Sequence, residues 1–232
     1  MPPDETELVK AGVDAALAPV KDLLNRLLGP VADELGGLFA DPVRVFRLRS
    51  SIRLLEKVKA VCEEAGIEPR AVAPKTLLPI LENASLEDDE DLHDRWANLL
   101  ANAAHRGTIP PAFPEILRQL TGNEAQLLDT FYDYIMTHQI PPAAHAENSL
   151  RGFPDFRQIT LSYRATDTLE ARLQLDNCMR LGLLSRKLGT LGVVGGPNPP
   201  VTEDSYPLAL TALGITFISA CRRPSKTGTV GS

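Results

Sequence analysis

The sequence predicts a mainly α-helical fold, with an N-terminal helical region and a C-terminal winged-helix-like module carrying a small two-stranded β-hairpin. Three patterns predict it. Aliphatic residues recur at spacings of three and four from Val13 to Leu38, the period of a single helix face. Thr121 stands three residues before Glu124, and Asp167 three before Glu170, which is how a capping box opens a helix. Finally RLGLL at 180–184, the turn-forming GGPNPP and a second apolar run ending at Leu210 read as strand, turn and strand.

Taken in order, the first element is the stripe Val13, Leu17, Val20, Leu24, Leu27, Val31, Leu35 and Leu38, with Lys21, Asp22, Asn25, Arg26 and Asp33 opposite. Pro19 and Gly29-Pro30 interrupt the helix, yet the stripe keeps its phase, so the pieces face one surface. Asp41-Pro42 opens the next helix with proline at its first position. Its expected buried face is Leu48, Ile52, Leu55 and Cys62, and Gly66 stops it. Ile67 to Pro79 holds three prolines and reads as an extended connector. Ser85 is the expected N-cap of the following helix, with Asp88 three residues on, and Leu92, Trp96, Leu99 and Ala103 form its core stripe.

GTIPPAFP at 107–114 is the strongest break, dividing an N-terminal helical domain at 1–110 from a winged-helix-like domain at 111–223. In the second domain a helix runs from Thr121 to about Met136. Another opens at Asp167 and ends at Gly182, where Leu183-Leu184 begins a strand. The partner strand spans Tyr206 to Leu210, and Thr211 caps a last helix containing Leu213, Phe217 and Ala220. Between Gln139 and Thr166 the pattern defines no element. Residues 224–232 are expected to form a disordered tail.

The net charge of −6 argues against a chain whose whole surface coats nucleic acid. Cys62, Cys178 and Cys221 are odd in number, widely spaced and without a CxxC pair, which disfavours a disulfide framework or a zinc finger and fits a reducing compartment. MPPDETELVK lacks the apolar core of a signal peptide. The uncharged run Ser205 to Cys221 reaches only the lower limit of a span, about 17 residues. It contains Pro207 and Gly214 and divides into a strand and a helix. A cytoplasmic protein is expected, with the periphery of the membrane as the rival location.

SLEDDEDLHDRWANLLANAA, residues 85–104, sets six acidic side chains ahead of the only tryptophan. Glu90, His93 and Asp94 have the spacing to share an ion on one helical side. Metal sites in bundles draw ligands from several helices, however, and no second Glu-x-x-His exists. Acidic residues in a first turn are favoured by the helix dipole, so the cluster reads as a helix start. His93, His105, His138 and His145 fit no ligand motif and are expected on the surface or in loops, while Cys178 reads as buried packing. No GxSxG, P-loop or Rossmann fingerprint occurs. A non-enzymatic protein without cofactor, metal or small-molecule substrate is expected.

Partner binding then carries the functional expectation. RVFRLRSSIRLLEKVK at 44–59 holds six basic residues and one acidic. The plainer of its two readings is that it balances the acidic helix internally rather than binding an anion. The aliphatic stripe has coiled-coil-like spacing and points to a protein partner or self-association, a membrane surface being its rival and an ordinary core helix its plain alternative. Nucleic acid ranks below these; its contacts would be Arg172, Arg180, Arg186 and Lys187.

The ordered set LLGPVADELGGLFADPVRVFRLRSSIRLLEKV, LLPILENASLEDDEDLHDRWANLLANAA, NCMRLGLL and LTALGITFISAC resembles the abortive-infection alpha family, a bacterial and archaeal group associated with phage defence. The resemblance implies a cellular role, that of an abortive-infection protein, and carries no catalytic residue across. A winged-helix DNA-binding regulator is the alternative.

Overall fold

The computed structural model describes residues 15, 18–28, 42–107, 109–138, 168–186 and 208–224, and of 42–48 and 168 the backbone alone. Its element order is a 3₁₀ turn at Ala18–Val20, α1 (Lys21–Leu28), α2 (Pro42–Ala65), α3 (Pro74–Ala84), α4 (Glu90–Arg106), α5 (Ala112–Leu117), α6 (Gly122–Thr137), α7 (Thr168–Arg180), β1 (Leu184–Arg186), β2 (Leu208–Leu210) and α8 (Ala212–Cys221). The protein is mainly helical, with one two-stranded antiparallel sheet among the described residues. Chain contacts define two compact units, Met1–Gln119 with Ala220–Ser232, and Leu120–Ser219. Among the described residues no helix is long and apolar enough to cross a membrane.

In the first unit, α2 begins at Pro42, where the missing N–H costs nothing. It ends on Gly66 at φ 67°. Gly66 N–H donates to Glu63 O at 3.2 Å and Ile67 N–H to Cys62 O at 2.8 Å, the paired bonds of a Schellman stop. The buried face of α2 is Leu54, Leu55, Val58, Val61, Cys62 and Ala65. Leu55 and Cys62 were expected there; Ile52 is only half-buried, and the side chain of Leu48 lies outside the described residues.

The connector expected over Ile67 to Pro79 is helical from Pro74 onward, because Pro74 sits at the start of α3, where proline is tolerated. Pro79 lies inside that helix and removes one backbone bond, a cost of about 3 kcal/mol set against the burial of Leu77, Ile80 and Ala84. Nor does Ser85 cap α4. Its backbone N–H donates to Leu81 O and its hydroxyl to Glu82 O at 2.6 Å, so both groups finish α3. Asp89 is the N-cap, accepting from Leu92 N–H at 3.0 Å through Oδ1, an interaction of about 1 kcal/mol.

The expected stripe of α4, Leu92, Trp96, Leu99 and Ala103, is buried, and so are Ala97, Leu100, Ala101, Asn102 and Ala104. Between Trp96 and Ala104 only Asn98 is even half-exposed, which makes α4 the central helix of its unit. The alanines keep its girth small, allowing neighbouring backbones to approach. Its most extensive partner is α2, and α3 packs on both.

In the second unit, Thr121 and Glu124 form the expected capping box: Thr121 N–H donates to Glu124 Oε2 at 2.7 Å and Glu124 N–H to Thr121 Oγ1 at 3.3 Å. Gly182, at φ 72°, stops α7 as Gly66 stops α2, with Leu183 N–H donating to Cys178 O at 3.0 Å. The strand register pairs Leu184 with Leu210, Ser185 with Ala209 and Arg186 with Leu208. Thr211 caps α8, its Oγ1 accepting from Gly214 N–H at 2.9 Å and donating to Gly182 O at 2.6 Å. Gly214 packs so closely on the residue before β1 that an added Cβ would stand 2.2 Å from Leu183 O.

Gly214→Ala is therefore expected to destabilise the protein by roughly 3 kcal/mol, the upper range for overpacking because backbone must move. Thr121→Ala should cost about 1 kcal/mol. Urea midpoints compared at equal slope test the order; an equal or smaller loss at Gly214 would refute the close approach.

Candidate functional site

The charged face between α2 and α4 is built by helical spacing. Arg53 and Lys57 are four residues apart on α2, as Glu90 and Asp94 are on α4, so each pair presents two like charges along one side of its helix. Lys57 Nζ is bonded to both Glu90 Oε1 and Asp94 Oδ1. Arg53 lies 3.2 Å from Glu90 Oε2. These cations of the basic 44–59 segment are thus balanced internally by the acidic helix. The bonded Lys57 ammonium, with Arg53 adjoining, holds the Glu90 carboxyl below its ordinary value. Glu87 has a different task, accepting the Asp89 N–H at 3.1 Å. Among the described residues, no group of three His, Cys, Asp or Glu side chains is arranged to hold a metal ion.

His93 was expected on the surface and is instead 0% exposed. Helical position explains this: it follows Leu92 on the side of α4 that also carries Trp96 and Leu100, all buried. Neither ring nitrogen has a hydrogen-bond partner. Burial pushes its pKa below the ordinary histidine value, and Arg53 and Lys57 act in the same direction.

Of the aliphatic stripe, Val20 and Leu27 are buried, at 1% and 0% exposure, and Leu24 is half-buried. Leu23 and Leu28, which are outside the stripe, are buried beside them. Leu27 O accepts from Val72 N–H at 2.9 Å, tying α1 to the segment before α3. Val13, Leu17, Val31, Leu35 and Leu38 lie outside the described residues. A cleft of ≈ 480 Å³ separates the Pro19–Arg26 stretch from the end of α2, with Leu23, Cys62, Ile67 and Pro69 on its walls and Arg26, Lys59 and Glu63 at its edge.

A feature with no motif in the sequence is the pair Asn98 and Asn102, four apart on α4. The Asn98 amide donates to Cys221 O at 3.2 Å. That of Asn102 reaches Ala220 O and Arg222 O, both at 2.9 Å. Two side chains from α4 thereby satisfy carbonyls at the end of α8 that no further turn could reach. Arg223, just beyond, is 2.6 Å from Glu64.

In the second unit the arginines singled out from sequence are engaged locally. Arg180 donates through Nε and an Nη to Asn177 Oδ1, at 3.0 and 2.7 Å. The Asn177 amide in turn donates to Glu124 Oε1 at 2.7 Å, joining α7 to the capping box of α6. Arg186 lies 3.8 Å from Asp176. Arg172 is half-buried, and Lys187 lies outside the described residues. On the same helix Leu169 and Leu173 are 65% and 62% exposed. Cys178 is fully buried as expected; burial, reinforced by Glu124, raises its thiol to about 12. Burial, and then Glu63, raises Cys62 as well.

A sequence model of the family described as abortive infection alpha matches residues 49–221, about three quarters of the chain. No curated protein matches, and no solved structure matches.

Lys57→Met is expected to return the Glu90 carboxyl toward its ordinary value, followed by carboxyl NMR. Because that carboxyl is depressed in the folded state, its stabilising effect is present above the ordinary carboxylate range and is lost as pH falls through the folded value. An unchanged Glu90 titration in the variant would show that Lys57 does not hold it.

Proposed function

The chain belongs to the abortive infection alpha family, and from that premise we propose that it is a non-enzymatic phage-defence protein of the abortive-infection type, acting in the cytoplasm through protein contacts. The observation that carries the defence reading is the family match across residues 49–221. Action by contact rather than catalysis is supported by the structural work done by the reactive groups. Glu90 is occupied by Lys57 and Arg53, Glu124 by Thr121 and Asn177, and the thiols of Cys62 and Cys178 are buried and raised. Cys62, Cys178 and Cys221, buried and not joined in disulfides, suit a reducing compartment.

The surface that favours a protein partner, another copy of the chain included, is on α7. Leu169 and Leu173 stand one turn apart and open to solvent, an apolar pair of the kind that seats in a partner's groove. The winged-helix DNA-binding reading draws on a different observation. Helix α7 passes directly through Gly182 into the antiparallel β1–β2 pair, the order of a recognition helix and wing. Against it, Arg180 and Arg186 are drawn toward Asn177 and Asp176, leaving them less free for phosphate.

Phage plating on cells with and without the gene, scoring plaque number and survival of infected cells, tests the defence reading. Fewer plaques together with host death are expected; unchanged plaque number would overturn it. Leu169→Asp with Leu173→Asp should leave the fold intact by circular dichroism and abolish protection. Full protection by that folded variant would remove α7 as the contact surface. For the alternative, salt-sensitive duplex binding that weakens in Arg172→Ala with Arg180→Ala would move the reading to nucleic acid; no such binding at low ionic strength is expected.

A further inference from the structure

His93 lies at the contact of α2 and α4 under conditions that suit only one of its charge states. Its backbone N–H makes an ordinary helical bond to Asp89 O at 2.9 Å, so the helix is not distorted to hold it. The ring is wholly buried, with Nδ1 and Nε2 both lacking partners, and Trp96 Nε1, one turn on, also has none. Among the described residues, the Ser50 backbone is the acceptor that acts on the ring. A neutral imidazole brings one donor and one acceptor into this contact; an imidazolium brings two donors and a charge.

The surrounding charges favour the neutral form further. From α2, Arg53 and Lys57 repel a proton on the ring, while the Ser50 backbone acts weakly in its favour. From its own helix Glu90 attracts one, but that carboxylate is already bonded to Lys57 and lies beside Arg53. Asp94, one residue on, is bonded to the same lysine. Helix α3 packs against α4 as well, and neither of its charged residues, Lys75 and Glu82, is among the groups acting on His93.

We infer that His93 is a proton switch in the α2–α4 seam: neutral, it is packed among apolar side chains; protonated, it opens the seam so that the ring reaches water. The sign follows from the depressed folded-state value. Above about pH 6.5, the ordinary histidine value, neither state binds the proton and stability is level. As pH falls below that value the opened state binds it first, and opening is favoured up to tenfold per pH unit, until the folded value is reached. Glu90, depressed from the carboxylate range, responds only in more acidic solution, so the two windows separate.

Amide hydrogen exchange of the full chain, corrected for the intrinsic rate at each pH, reads the opening between pH 7.5 and 5. Protection in α2 and α4 should fall by up to tenfold per unit below about 6.5 and stay level in His93→Phe. His105→Gln and His138→Gln should behave as the parent. The same acid slope in His93→Phe would overturn the inference. Should that variant not fold, NMR titration of the ring in the parent protein decides: a shift below 6.5 that tracks the loss of protection supports it, and titration near 6.5 with protection intact refutes it.

Discussion

The first unit depends on the desolvation of α4. A helix buried along one face can be built from a simple apolar stripe, but from Trp96 to Ala104 this one is enclosed on nearly every side. Enclosure demands small side chains where neighbours approach and internal partners for any polar group. Ala97, Ala101, Ala103 and Ala104 meet the first demand; the amide N–H groups of Asn98 and Asn102 meet the second in part, donating to carbonyls at 220–222, whereas Trp96 Nε1 and Asn102 Oδ1 have no partner. Each large apolar side chain buried here is worth about 1.5–3 kcal/mol. The exposed ion pairs along the edge are worth at most about 1 kcal/mol. The seam holds α2 to α4, and the charges set how the two helices meet.

Glu90 and His93 show how sharply one helical turn divides environments. Glu90 faces water and two cations and is stabilised as an anion; His93 faces the seam and is stabilised as a neutral ring. The cations that favour the one disfavour the charge of the other. Burial first, then Arg53 and Lys57, lowers the pKa of His93, and the same two cations lower that of Glu90, so both groups are shifted toward their deprotonated forms.

In the second unit the organising contact is smaller. Gly182, Leu183, Thr211 and Gly214 meet where α7, the strand pair and α8 converge, and Thr211 serves both the helix cap and the preceding turn. A hydrogen-bonded chain from Thr121 through Glu124 and Asn177 to Arg180 ties α6 to α7. That chain engages the exposed Arg180 on its own helix, while Leu169 and Leu173 of α7 stand in solvent and Leu175 is buried.

Signals carried within about four residues were legible from sequence alone. The capping box at Thr121, the cap at Thr211 and the glycine stops at 66 and 182 are interactions between near neighbours in the chain, so residue order determines them. Part of the site was legible in the same way: the acidic run starts a helix, and its charges match those of α2. The tertiary structure decided what local chemistry leaves open. Pro74 begins a helix because the apolar side chains beyond it find a core. His93 is buried because α4 is covered beyond its obvious stripe, and Asn98 and Asn102 act on carbonyls more than a hundred residues away. In each case the outcome turns on which distant group removes water from the residue, and no spacing along the chain encodes that.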